Sequence, residues 1–352
     1  MTNQIKKVGV IGAGTMGAGI AGQVANAGVE VWLLDLPSEG ENVNSLAAKG
    51  LERLKDPDMP GLMSKEAESL IRIGNTRDHF HELEDCDWIA EAVVERLDIK
   101  QALYQKLNEG CKESTIITSN TSTIPISLLT KGMPKKFCER FAITHFFNPV
   151  RFMRLLELVR GEFTRDEVID TLDLFSEKIL GKGVVSCLDT PGFLANRVGV
   201  FAIQCALHKA FEYKLSPTEA DAFFGRPLGL PKTGVFGLYD LIGIDLMADV
   251  VKSLVSILPE NDAFHKYSSQ IKFMSKMIAN GQTGNKNEKG FYKQIGDERQ
   301  VIDLSNGSYG PHERLKTPLL EEAEKIGVSF IIKDTSPYGL YIWDVISETL
   351  CY

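Results

Sequence analysis

In the first half of the chain, apolar residues fall in short, nearly unbroken runs. These are KKVGVIGAG (6–14), VEVWLLD (29–35), DWIAEAVV (87–94), STIITSN (114–120), RFAITHFF (140–147) and LLELV (155–159). Runs of this length without polar alternation predict strands covered on both faces. The intervening segments have helical spacing. One follows the first glycines. Residues 39–72 are charged and predict a pair of helices broken at KDPDMPG, and LDIKQALYQKLNEG (97–110) predicts another helix with a glycine stop. Strands alternating with helices give an α/β fold with a doubly wound, mostly parallel sheet. From DTPGFLANRVGVF (189–201) to about residue 280 the spacing becomes helical, predicting an all-helical C-terminal domain. We therefore expect a sheet domain over 1–188, a helical domain over 189–300, and a linker with the start of a further helical domain over 301–352. In the last of these, Leu340, Trp343, Ile346 and Leu350 form a helix-spaced apolar stripe that needs a partner, in this chain or beyond it.

Gly12, Gly14 and Gly17 give G-x-G-x-x-G, with Thr15 and Met16 inside the turn. The pattern is weak alone. Here it follows a strand and opens a helix, and Asp35 ends the next strand, which is the context of a dinucleotide-binding, Rossmann-type unit. The glycines permit the tight turn, the approach of a pyrophosphate, and close helix–strand packing. The helix N-terminus offers unpaired N–H groups to the phosphates. Asp35 would accept hydrogen bonds from ribose hydroxyls and repel a 2′-phosphate. No arginine follows it in Leu36–Glu39, so the expected cofactor is NAD, bound by Gly12, Gly14, Thr15, Met16, Gly17 and Asp35.

Composition narrows the rest. With 352 residues, 43% of them hydrophobic, the chain can bury a large core. A net charge of −8 argues against nucleic-acid or membrane-surface partners, which need clustered Lys/Arg. No stretch approaches the roughly 18 apolar residues that span a bilayer, and the N-terminus does not read as a signal peptide. The six cysteines include no C-x-x-C pair and read as reduced thiols in a cytoplasmic protein. The histidines show no metal-ligand spacing, so no metal is expected.

In THFFNPVRFMRLLELVRG (144–161), His145 ends one strand and Glu157 lies inside the next. A carboxylate in an apolar run is costly to bury unless paired. Neighbouring strands would bring it to the imidazole. A histidine oriented by a dry carboxylate suits a general base that takes a hydroxyl proton. The bland alternative for a lone histidine among aromatics is a satisfied core residue, and sequence does not show the pairing itself.

The segments VIGAGTMGAGIA, EAVVERLDIK, SNTST, HFFNPV…LLELV, DTPGFLANR and KGFY occur in this order between residues 5 and about 293. Together they resemble the L-3-hydroxyacyl-CoA dehydrogenase family of fatty acid β-oxidation. The resemblance implies His145 as base with Glu157 as its partner, and Ser122 and Asn196 on the reacting oxygen. It places Asn120, Asn148, Glu95 and Lys100 around the nicotinamide, and has Lys286 reaching the cofactor from the helical domain. It also implies an acyl-CoA substrate and a homodimer. By residue type alone, Lys100 and Lys286 read as solvated surface lysines. The departures are about two extra residues near KGMPKKFCER, Glu288 where glycine is usual, and Arg151 and Arg154 in place of proline and apolar residues. Both arginines are expected to face solvent. Beyond residue 300 the chain resembles longer bacterial proteins with a second helical domain and an enoyl-CoA hydratase/isomerase module, which suggests an N-terminal fragment of such a protein. Two other readings remain. One is a β-hydroxy-acid dehydrogenase for a small non-CoA substrate, distinguished by whether Lys49, Arg53, Lys55 and Lys65 serve CoA phosphates. The other is a catalytically silent NAD-binding fragment.

Overall fold

The structure, a computed structural model, describes residues 5–352. The chain forms two compact units, one ending at Leu194 and the other spanning Ala195–Tyr352.

In the first unit the order is β1 (Lys7–Ile11), α1 (Thr15–Asn26), β2 (Glu30–Asp35), α2 (Ser45–Arg53), α3 (Lys65–Ser69), β3 (Ile71–Asn75), β4 (Trp88–Glu91), α4 (Leu97–Gly110), β5 (Ile116–Ser119), α5 (Ile126–Leu129), α6 (Lys135–Cys138), β6 (Phe141–Phe146), β7 (Leu155–Arg160), α7 (Asp166–Lys178) and β8 (Gly183–Cys187). The strands make one sheet in the order β3-β2-β1-β4-β5-β6-β7-β8. Every neighbouring pair is parallel except β6–β7, which is antiparallel. The strand order reverses at β1, so the ends of β1 and β4 flank the crevice where ligands of such sheets bind. Val8 and Val10 face one buried layer while Ile11 and Ile89 face the other, which is why these strands read as continuous apolar runs. The 39–72 segment is helical only in α2 and the short α3. Its last two residues, Ile71 and Arg72, already begin strand β3, because pairing with β2 overrides a weak local signal.

The second unit contains α8 (Ala195–Glu212), α9 (Pro217–Phe223), α10 (Phe236–Ile242), α11 (Ile244–Ile257), α12 (Lys272–Ala279), strands β9 (Tyr292–Ile295), β10 (Glu298–Ile302) and β11 (Tyr309–Pro311), then α13 (Pro318–Ile326), α14 (Val328–Ile331) and α15 (Pro337–Cys351). It is mostly but not entirely helical, since β9–β11 form a small antiparallel sheet. Residues 301–352 do not stand apart as a linker and a new domain. Ile302, Leu320, Ile331, Tyr341, Ile342 and Val345 share one core with Phe201 and Phe236. Nor does α15 bury the predicted stripe. Tyr341, Ile342 and Val345 face inward, while Trp343 is 50% and Leu350 81% exposed. The helix is apolar on two faces, and of the stripe that periodicity picked only Ile346 packs against the core.

Among the described residues, no helix is long and apolar enough to cross a membrane, and no group of His, Cys, Asp and Glu could hold a metal ion.

Candidate active site

The glycine turn follows from local sterics. Gly12 adopts φ +98°, and a Cβ there would lie 2.5 Å from the Ala92 carbonyl oxygen. A Cβ on Gly17 would lie 1.7 Å from the Gly12 carbonyl oxygen, so α1 can close on β1 only without a side chain. At Gly14 a Cβ would meet nothing within 4 Å. No packing within the protein calls for glycine there, whereas a phosphate approaching the backbone would. The N-cap of α1 has no side-chain hydrogen bond and its first turn has no acid, so its N–H groups remain available to an anion. Gly14 and Thr15 are exposed and Met16 half-buried. Asp35 ends β2, and its carboxylate accepts from the N–H of Ala13 (2.6 Å) and of Leu36 (2.7 Å). It is thereby fixed against the loop, with capacity for ribose hydroxyls. The residues present fit NAD.

His145 and Glu157 sit directly opposite each other in the antiparallel β6–β7 pair. Imidazole Nδ1 lies 2.7 Å from Glu157 Oε2. The carboxylate is fully buried and the histidine 6% exposed. Glu157 Oε1 also accepts the Leu194 N–H at 2.9 Å. That N–H is aimed by the turn before it, in which Gly192 and Phe193 take left-handed φ of +74° and +49°. A left-handed phenylalanine is uncommon and marks a turn held by its surroundings. The Phe193 ring, with that of Phe147, flanks the imidazole at 5.7 and 4.5 Å. The Cys187 thiol lies 3.7 Å from Glu157 Oε1, and burial and then the carboxylate push its pKa up to about 11, so it stays neutral. With Glu157 accepting at Nδ1–H, a neutral ring carries its lone pair on Nε2.

His145 lines a cavity of about 360 Å³ with Met16, Glu95, Lys100, Asn120, Ser122 and Asn148. Of the expected site residues, these six and His145 are brought together. Asn120 accepts the Phe146 N–H at 2.9 Å, tying β5 to the strand end that carries His145. Lys100 is not a solvated surface lysine. It is 1% exposed, with its ammonium 2.7 Å from Glu91 and 3.2 Å from Glu95. Glu95 accepts from the hydroxyls of Thr121 and Thr123 and the N–H of Ser122. Burial alone would raise the Glu95 carboxyl, but the Thr121 bond and the Lys100 charge outweigh it and hold it below the usual range.

Sequence reasoning missed the group beneath this cavity. Glu91, fully buried, accepts from Lys100, the Tyr104 hydroxyl (2.5 Å), the Ser119 hydroxyl (2.7 Å) and the Val93 N–H (2.8 Å). The signal was available. Glu91 interrupts WIAEAVV just as Glu157 interrupts LLELV, and the same cost argument applies to both.

Asn196 lies in the first turn of α8 and Lys286 in a turn of the second unit, where its ammonium is 2.6 Å from Asp245. Arg151 does not face solvent as expected. It donates to the carbonyls of Pro60 (2.7 Å) and Leu62 (3.2 Å) and lies over the Phe152 ring, whereas Arg154 is exposed. Of the four cations considered for CoA phosphates, Lys55 is held by Glu52 and Glu68 and Arg53 reaches the Ala13 carbonyl. Lys49 and Lys65 are exposed.

Residues 7–190 match the model of the 3-hydroxyacyl-CoA dehydrogenase NAD-binding domain, and residues 192–294 that of the family's C-terminal domain. The chain is 33% identical to mitochondrial hydroxyacyl-coenzyme A dehydrogenase of Sus scrofa, over 82% of this chain and 91% of that protein. It is 39% identical over its whole length to a Rickettsia prowazekii protein assigned as a fatty acid oxidation complex trifunctional enzyme, and spans 49% of it. The chain thus covers about half the length of such relatives. Among solved structures, 3-hydroxybutyryl-CoA dehydrogenase from Escherichia coli K12 superposes with a TM-score of 0.69 at 28% identity, covering 85% of this chain and 62% of that one. The (S)-3-hydroxybutyryl-CoA dehydrogenase from Ralstonia eutropha gives 0.65 at 30% identity, covering 82% and 98%. With both domain models matched in order and a relative matched over nearly its full length, the chain belongs to the 3-hydroxyacyl-CoA dehydrogenase family, and its first unit is that family's NAD-binding domain.

Proposed function

We propose that this chain oxidises L-3-hydroxyacyl-CoA to 3-oxoacyl-CoA in fatty acid β-oxidation, as a homodimer in the cytoplasm. The observation that carries the reading is the buried Nδ1–Glu157 bond, which leaves Nε2 of His145 free to take the proton of the C3 hydroxyl. NAD, when bound at the glycine loop, supplies the acceptor for the C3 hydride. Glu157 orients the ring and stabilises the positive charge that forms on it as the proton arrives. Ser122 and Asn196 donate to the oxygen as it becomes a carbonyl. Asn120, Asn148, Glu95 and Lys100 shape the nicotinamide side, and the family resemblance adds Lys286, paired with Asp245 in this structure, as a cofactor contact.

The test is reduction of acetoacetyl-CoA by NADH, followed at the NADH absorbance. A general base contributes about 10²–10⁴-fold, so His145→Gln should lower kcat by at least about a hundredfold and leave NADH affinity intact. Full activity in that variant would sink the assignment. Absence of turnover in the wild-type chain with normal NADH binding would favour the silent cofactor-binding fragment. The small-substrate reading draws on the engagement of Lys55 and Arg53, which leaves fewer cations for CoA phosphates. Free CoA that fails to compete with the substrate would support it.

A further inference from the structure

The second unit holds a cavity of about 510 Å³ bounded by α9, α10, the turn at Arg226–Leu228, β9, β10 and α13. Its floor is acidic but spent inward. Asp221 accepts the N–H groups of Phe236 (2.7 Å) and Gly237 (2.9 Å) and the Tyr292 hydroxyl (2.8 Å). Asp240 accepts the N–H groups of Phe291 (2.8 Å) and Tyr292 (2.7 Å). Its walls are cationic. Arg226, Lys232, Arg299 and Arg314 all line it. Arg314 meets Glu324 only at 4.0 Å, and Arg226, Lys232 and Arg299 have no ion-pair partner among the described residues. Glu324 lines it as well, so with Asp221 and Asp240 three acids face four cations, in a chain of net charge −8. Concave walls focus such a field.

The cavity also has a flat platform. The Arg299 guanidinium lies 4.0 Å from the Tyr292 ring centre, and His312 packs edge-on against the same ring at 5.5 Å. The hydroxyl of Tyr292 is pinned by Asp221, so this stack is fixed rather than swinging. Guanidinium and aromatic planes stack on nucleobases, and arginine forks bind phosphate oxygens in pairs. The volume lies in the range of small-molecule sites, about 300–1,000 Å³. We propose that this cavity binds a nucleoside phosphate, with the phosphates on Arg226, Lys232 and Arg314 and the base against the Arg299–Tyr292 stack. The ligand comes either as a free nucleotide or as the phosphorylated adenosine end of CoA; the second source rests on the function proposed above.

Calorimetric titration of the full chain with ADP, with and without saturating NADH, tests it. The glycine loop accounts for an ADP component that NADH removes. A second component, resistant to NADH, is expected, and Arg226→Gln and Arg299→Gln should each weaken it about tenfold or more, as the loss of one charge-assisted contact implies. Arg299→Lys should retain part of the affinity. Exposed Lys178→Gln should change nothing. Competition of the second component by CoA identifies CoA as the source, and its absence identifies a free nucleotide. Acetoacetyl-CoA reduction by the same variants separates this site from the catalytic reading, since the cavity can fail while turnover survives. If all ADP binding is displaced by NADH, or if both arginine variants bind ADP as the wild type does with unchanged circular dichroism, the proposal is overturned.

Discussion

Replacing Glu157 with glutamine isolates the electrostatic part of the His145 pair while conserving shape. The carboxylate accepts on both oxygens, from Nδ1 at 2.7 Å and from the Leu194 N–H at 2.9 Å. An amide has one oxygen, so it can satisfy either donor but must turn its NH₂ toward the other. If the oxygen faces His145, the ring keeps its tautomer but loses the charge that steadies an imidazolium. If the NH₂ faces His145, the tautomer inverts and Nε2 carries a proton at the outset. The site is fully buried on the glutamate side. A hydrogen bond to a charged group is worth about 1.5–3 kcal/mol, and the misdirected NH₂ adds an unmet donor. Together these come to about 3–4 kcal/mol against the charged transition state, or about 10²–10³-fold in kcat. Stopped-flow or steady-state reduction of acetoacetyl-CoA by NADH reads kcat, and quenching of protein fluorescence reads NADH affinity. The expected outcome is a large fall in kcat with NADH affinity unchanged. A kcat within about threefold of wild type, in a variant of normal thermal midpoint, would refute the role given to the pair.

Gly17→Ala puts a Cβ 1.7 Å from the Gly12 carbonyl oxygen, so the turn must open; NADH binding measured by fluorescence should be lost while far-ultraviolet circular dichroism remains folded. Asp35→Ser removes the carboxylate at the end of β2 and should raise the NADPH-to-NADH ratio of kcat/KM at least about tenfold, because the repulsion of a 2′-phosphate disappears. Lys182 is 5% exposed, donates to the carbonyls of Val150 and Met153, and has its pKa lowered by burial to about 8 from 10.5. The unfolded chain holds this proton up to about 10.5 while the native chain sheds it near 8, so the burial penalty is full below pH 8 and fades as pH rises through that window. Wild type should therefore gain on Lys182→Met by up to about 3 kcal/mol between pH 7 and 10 in urea unfolding; a difference independent of pH would contradict it.

Much of the first unit was legible because its signals are local. A strand buried on both faces must be an apolar run, and a turn with a 1.7 Å clearance must be glycine. The strand β3 and the sheet β9–β11 were not legible, since polar residues interrupt their apolar positions and they take strand form through their neighbours. The stripe on α15 was misassigned for a related reason. Two of its faces are apolar, and only the position of α8 decides which is covered.

At the site, the chain's residue order alone determined that a glycine turn, an acid ending the second strand, and a buried histidine and glutamate exist, because each is dictated by the cost of its own surroundings. Only the tertiary structure decided that β6 and β7 run antiparallel with His145 opposite Glu157, and that Lys100 is buried on Glu91 rather than solvated. Those are matters of register and of contacts distant in sequence. Burial of a charge can be anticipated from composition, whereas the choice of partner depends on which strands and helices become neighbours.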